Sequence, residues 1–185
     1  MFVGKTKTEK SVVAQPTKPA TIAEKAKLMK ITSSAFTHEQ KIPSKYTCDG
    51  ENINPSLQFS EVPQQAKSLA LIMDDPDAPM ETWVHWTIFN MEPLTLGIEE
   101  GTKPKSGVEG VTSFGKPGYG GPCPPPASPE QLQRGESGTH RYFFKLYVLD
   151  TKLDLPATAD KKQIEEKMQG HILDKAELIG LYSKQ

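Results

Sequence analysis

Ser68–Met73 (SLALIM) is a continuous apolar run flanked by polar residues, and no other segment narrows the fold so far. Its brevity and its lack of alternation read as a central strand buried on both faces. The run passes straight into Asp74–Pro79 (DDPDAP), a turn stiffened by two prolines. A buried strand therefore ends on carboxylates held in a rigid turn.

Two further segments read as strong strands. Val84–Met91 (VHWTIFNM) alternates, which sets His85, Thr87 and Phe89 on one face and Trp86, Ile88 and Asn90 on the other. Tyr142–Asp150 (YFFKLYVLD) is aromatic and β-branched throughout. Weaker strands are expected near Leu28–Thr32 and Ser56–Phe59. A helical period occurs only near the C-terminus, where Ile164, Met168 and Ile172 recur every four residues behind Asp160, a suitable cap. That helix is expected to reach about Leu173, with a last strand over Lys175–Tyr182. The 16 prolines and 14 glycines break the rest into turns. Residues 28–185 are thus predicted to form a mainly β, sandwich-like domain with a C-terminal helix.

Residues 1–27 are rich in Lys, Thr, Glu, Ala and Pro without an apolar face, and are read as a disordered basic extension. Charge divides the same way: residues 1–30 hold seven lysines and two glutamates, about +5, while residues 31–185 hold 15 basic and 21 acidic groups, about −6. An acidic domain argues against a nucleic-acid surface, which is built from clustered Lys and Arg. No segment has the apolar length of a membrane span or of a secretory signal, so a cytoplasmic protein is expected. Cys48 and Cys123 fit a reducing compartment as two small buried thiols. Without a CxxC spacing they give no support to a zinc ribbon.

The candidate chemistry gathers around the strong strands. Asp75 sits at a strand end, His85 lies on an alternating strand, and in Thr139–Tyr142 (THRY) an extended backbone points His140 and Tyr142 the same way and Arg141 the opposite way. Two imidazoles and a phenol offer donors to an anionic group, with Asp75 orienting one imidazole and holding its proton. Backbone N–H groups of the Gly118–Gly121 turn could add a nest. Gly110–Lys116 follows the first seven positions of a P-loop, but Pro117 replaces the Ser or Thr that would hold Mg²⁺. The two histidines and Asp75 could instead form an Fe(II) or Zn²⁺ set, or serve a hydrolase with Ser128 or Ser137, yet no HxH, HxD, HExxH or GxSxG spacing occurs.

Taken in order, DDPDAP, VHWTIFN, GKPGYGGPCPP and HRYFFKLYVLD resemble the phosphatidylethanolamine-binding protein family, in its prokaryotic Raf-kinase-inhibitor-like branch. YTCDGENINPSL at Tyr46–Leu57 and MQGHILDKAELIGLYS at Met168–Ser183 extend the likeness over roughly residues 28–183. The resemblance implies an antiparallel two-sheet Greek-key fold and a pocket for phospholipid head groups or phosphate-like anions, without catalysis, cofactor or metal. By motif it assigns the pocket to Asp75, His85, His140 and Tyr142, with Gly121 and Pro122 in its wall and Trp83, Trp86 and Tyr119 near its rim. It also implies a homodimer and a regulated protein partner such as a kinase or protease. One departure stands beside the pocket motifs: Pro126–Thr139 is longer than the link usual in the family.

Overall fold

The computed structural model describes Met1 and residues 28–135 and 137–184, so the predicted basic extension, apart from Met1, lies outside the described residues. In chain order the elements are β1 (Lys30–Ser33), β2 (Gln40–Lys41), β3 (Leu57–Ser60), β4 (Ser68–Asp75), β5 (Trp83–Met91), β6 (Gly97–Ile98), β7 (Val108–Glu109), α1 (Pro129–Gln133), β8 (His140–Leu149), α2 (Lys161–Met168) and β9 (Ile172–Tyr182). They build a three-stranded sheet ordered β1-β3-β6 and a six-stranded sheet ordered β2-β9-β8-β4-β5-β7. The mainly β, two-sheet architecture expected from the sequence is present. Pairing is antiparallel except at one edge, where β2 runs parallel to β9.

β4 lies inside the large sheet, between β8 and β5, and every one of its residues is buried. Each face of the sheet has its own core. Leu71, Met73, Trp86 and Phe144 pack toward Ile31, Leu57 and Phe59 of the small sheet. On the other face, Ala70, Ile72 and Phe89 meet Ile164 and Met168 of α2. Full burial of a large apolar side chain is worth roughly 1.5–3 kcal/mol. Cover on both sides explains why this strand reads as a continuous apolar run.

α2 opens on a capping box in which Asp160 accepts from the Gln163 backbone N–H and the Gln163 side chain reaches back to the Asp160 backbone. It ends at Met168, earlier than the apolar period suggested. Gly170 takes φ +79, a left-handed conformation that stops the helix, and the chain enters β9 at Ile172. Ile172 is consequently half-exposed on a strand instead of continuing the helical face.

β5 departs from simple alternation at both ends. The register with β4 passes from Met73↔Trp86 to Asp74↔Val84, so His85 has no partner residue of its own. This bulge sends His85 to the side of Trp86 and away from Thr87 and Phe89, contrary to the face assignment made by alternation. A second shift lies between Leu69↔Met91 and Leu71↔Ile88, with Asn90 at φ +58. Met91 thereby takes the small-sheet side with Ile88, while the Asn90 amide bonds the Leu153 backbone in both directions.

Candidate functional site

Asp75 ends β4 on the small-sheet side, next to the first residue of β8 in space. Its Oδ2 accepts the Nδ1–H of His140 at 2.7 Å, and its Oδ1 accepts the backbone N–H of Asp77 at 2.8 Å. Asp75 is 3% exposed and His140 9%, so this carboxylate–imidazole pair is largely shielded from water. The turn that follows is anchored from outside. Asp77 takes the Arg141 guanidinium through two bonds of 2.8 and 2.7 Å and the Arg141 backbone N–H at 3.0 Å. The guanidinium holds the Asp77 carboxyl below the usual carboxylate range. As extended geometry requires, Arg141 points outward while His140 and Tyr142 point in.

The bulge on β5 carries His85 to the same place. Its Nδ1–H donates to the Gly120 carbonyl at 2.7 Å, and the Gly120 N–H returns a bond to the His85 carbonyl at 3.0 Å. Tyr142 and Phe114 meet the ring edge to face, with centroids at 5.2 and 5.6 Å. Burial depresses the His85 pKa, against the opposing pull of the Gly120 carbonyl and the Asp75 charge. A Cβ at Gly120 would lie 2.3 Å from the Phe114 ring, so a larger residue there would force that ring to shift. At 121 a Cβ would lie 2.3 Å from the Tyr46 carbonyl oxygen.

Asp75, His85 and His140 line one cavity of about 330 Å³. Its remaining wall is apolar: Ala78, Pro79, Trp83, Phe114, Pro124 and Pro125, together with Cys123. Trp83 stands partly exposed against the edge of Phe114, a position at the rim. Trp86 does not reach that rim. It is buried in the core with its indole N–H on Glu109, and Tyr119 packs on it with its hydroxyl on the Tyr46 carbonyl. Gly121 and Pro122 brace the wall from behind, since Gly121 N–H donates to Asn52 and the Pro122 carbonyl accepts from Cys48. The Gly120 and Gly121 N–H groups are thus consumed internally, which removes them from the expected nest. Phe114 and the Ala78-Pro79 pair were missed by the sequence reading, whose only signal for them was their nearness to the glycine and aspartate motifs.

The cysteines also differ from expectation. Cys48 and Cys123 are joined as a disulfide and both are exposed, not two buried thiols. The bridge fastens the 46–52 loop to the proline-rich wall, and the cysteine argument for a reducing compartment falls away with it. Tyr142 is fully buried under the two histidines, and its hydroxyl has no hydrogen-bond partner among the described residues. Burial and the adjacent Asp75 charge drive its ionisation far upward, so it stays a phenol. Among the described residues no three His, Cys, Asp or Glu side chains converge as a metal set.

The long 126–139 link folds back beside the site. α1 is capped by Ser128 and buries no residue. A second, polar cleft of about 460 Å³ lies between this link and Asp77, and His140 is the wall it shares with the first.

A family model described as phosphatidylethanolamine-binding protein matches residues 32–183. A UPF0098 protein of Methanothermobacter thermautotrophicus is 50% identical over 161 residues, covering 84% of this chain and 99% of that one. A UPF0098 protein of Aquifex aeolicus is 44% identical over 163 residues, covering 85% and 90%. Among solved structures, the phosphatidylethanolamine-binding protein homologue CT736 of Chlamydia trachomatis has a TM-score of 0.76 at 40% identity, covering 85% of this chain and 99% of its own. YbcL of E. coli has a TM-score of 0.74 at 28% identity, with coverage of 85% and 99%. With its two-sheet fold and its histidine cavity at the end of β4, the chain belongs to the phosphatidylethanolamine-binding protein family.

Proposed function

We propose that this protein is a non-enzymatic binder of small oxyanions of the phosphoryl head-group type, acting by occupancy and by presenting the occupied face to a protein partner. The observation that carries the reading is the convergence of the Asp75–His140 pair and His85 on one cavity with an otherwise apolar wall. Such a cavity suits a ligand with a compact polar head and an apolar continuation. Binding is favoured over hydrolysis because no serine hydroxyl lines the cavity among the described residues and the Cys123 sulfur is held in a disulfide. Asp75 is already committed to His140, which disfavours its use as a metal ligand.

Calorimetric titration with inorganic phosphate, paired with native mass spectrometry of untreated protein, tests the reading. Binding in the wild type that is lost in His140→Ala, with the fold intact by circular dichroism, is the expected result. Equal binding by both proteins would place the ligand elsewhere.

A further inference from the structure

The disulfide has unequal ends. Cys48 sits in a loop held firmly to the body: Tyr46 and Thr47 are buried, the Asn52 N–H donates to the Lys45 carbonyl at 3.0 Å, and Asp49 takes the Tyr182 hydroxyl at 2.7 Å. Cys123 belongs to a different kind of segment. From Pro122 to Pro126 (PCPPP) the chain has a single backbone N–H, that of Cys123, so bonds donated by its own backbone do little to hold it. Consecutive prolines also make the segment stiff, and it moves as one arm.

The near end of the arm is fixed. The Gly121 N–H on Asn52 Oδ1 and the Pro122 carbonyl under the Cys48 N–H pin the chain just where the arm begins. Past its far end, α1 buries no residue and adds little packing. The arm itself is cavity wall, since Cys123, Pro124 and Pro125 all line the cavity. The Cys48–Cys123 bond is therefore the covalent tie between a movable wall and a fixed post. Both cysteines are exposed, so a thiol can approach the bond from solvent, as it does at labile disulfides.

We propose that the Cys48–Cys123 bond is a thiol-operated latch: a dithiol reduces it in the folded protein, the Cys123–Pro126 arm swings out about Pro122, and the cavity opens. A thiolate of the dithiol attacks one of the two sulfurs, forming a mixed disulfide as the Cys48–Cys123 bond breaks, and the displaced thiolate takes up a proton. The second thiol of the donor then closes the donor's own disulfide and releases the other protein thiol. Two electrons and two protons pass to the protein as the dithiol is oxidised. Control of ligand occupancy by the latch rests on the oxyanion reading above, whereas the movement of the wall does not.

Trp83 reports the wall without any ligand. It lines the same cavity as Pro124 and Pro125 and stands partly exposed, while Trp86 is buried in the core, so a change in acrylamide quenching of tryptophan emission reads Trp83. The full chain is compared oxidised, reduced with dithiothreitol and reoxidised, with folding followed by circular dichroism and thiols counted by mass after alkylation. The expected result is two alkylated cysteines in the folded, reduced protein, a rise in quenching, and reversal of both on reoxidation. Inorganic phosphate, titrated by calorimetry, should bind the reduced form about tenfold more weakly, because the preorganised wall is lost. Cys48→Ser with Cys123→Ser should match the reduced form with or without dithiothreitol, and the wild-type comparison decides the matter if that variant does not fold. Thiols that appear only on unfolding, quenching unchanged by reduction, or equal phosphate affinity in the two forms would overturn the proposal. Phosphate binding by neither form would defeat the oxyanion reading instead, and the quenching would still decide the latch.

Discussion

At the scale of single residues, Tyr142 and His85 show what the site withholds from stability. A buried hydroxyl without a partner leaves roughly 1–3 kcal/mol of desolvation uncompensated, and the Tyr142 hydroxyl is such a group. Tyr142→Phe should therefore hold or raise the melting temperature of the unliganded protein while weakening ligand binding; a clear loss of stability in denaturant titration would mean the hydroxyl is satisfied. His85 gives a pH dependence with a definite sign. Its folded pKa lies below the unfolded value of about 6.5, so between the two the unfolded chain binds more protons. Stability contributed by keeping His85 neutral is present above about pH 6.5 and is lost as pH falls through that range toward the folded pKa. His85→Gln should flatten this part of the stability curve, measured by urea midpoints across pH. The inward direction of His140 and Tyr142 was legible in the sequence, because extended geometry leaves no choice about which side chains share a face. The direction of His85 was not, since a bulge inserts one residue into β5 and no composition signal marks it.

At the scale of elements, the strands with the strongest apolar or aromatic character were legible, and what was not legible came from contacts distant in sequence. Gly170 ended α2 one turn early although the apolar period ran on to Ile172, which β9 then claimed. The disulfide joins residues 75 apart, and nothing local to either cysteine indicated it. It fixes the proline-rich wall to the 46–52 loop, with the Cys48 N–H to Pro122 carbonyl bond beside it. Cys48→Ser with Cys123→Ser should lower unfolding free energy by about 2–4 kcal/mol, read from denaturant midpoints with and without reductant. Reductant should then shift the midpoint of the wild type and leave that of the double variant unchanged. The link that carries α1 belongs to a different class of element. Because α1 buries no residue, shortening the 126–139 link should leave the midpoint nearly unchanged, so any altered ligand affinity would report its cleft beside His140.

At the scale of the whole molecule, the large sheet separates what stabilises from what binds. The adjacent aspartates at the end of β4 point to opposite faces: Asp75 enters the cavity, while Asp74 is buried on the α2 side with Lys145 and Lys161, their ammonium groups at 2.8 and 2.6 Å. The alternation of a strand thereby gives one carboxylate to the site and the next to the attachment of α2. This separation predicts independent responses. Ile164 is fully buried against the α2 face, and Ile164→Ala removes three carbons from that core at a distance from the cavity, which should cost about 3 kcal/mol of stability. Sites that share no partner act additively, so among molecules that remain folded the variant should keep the wild-type affinity for phosphate. Combined with His140→Ala, it should show the stability loss of one change and the binding loss of the other without interaction. A binding constant that fell in step with the Ile164→Ala stability loss would instead make the cavity depend on the opposite core, and β4 would then be the element that couples them.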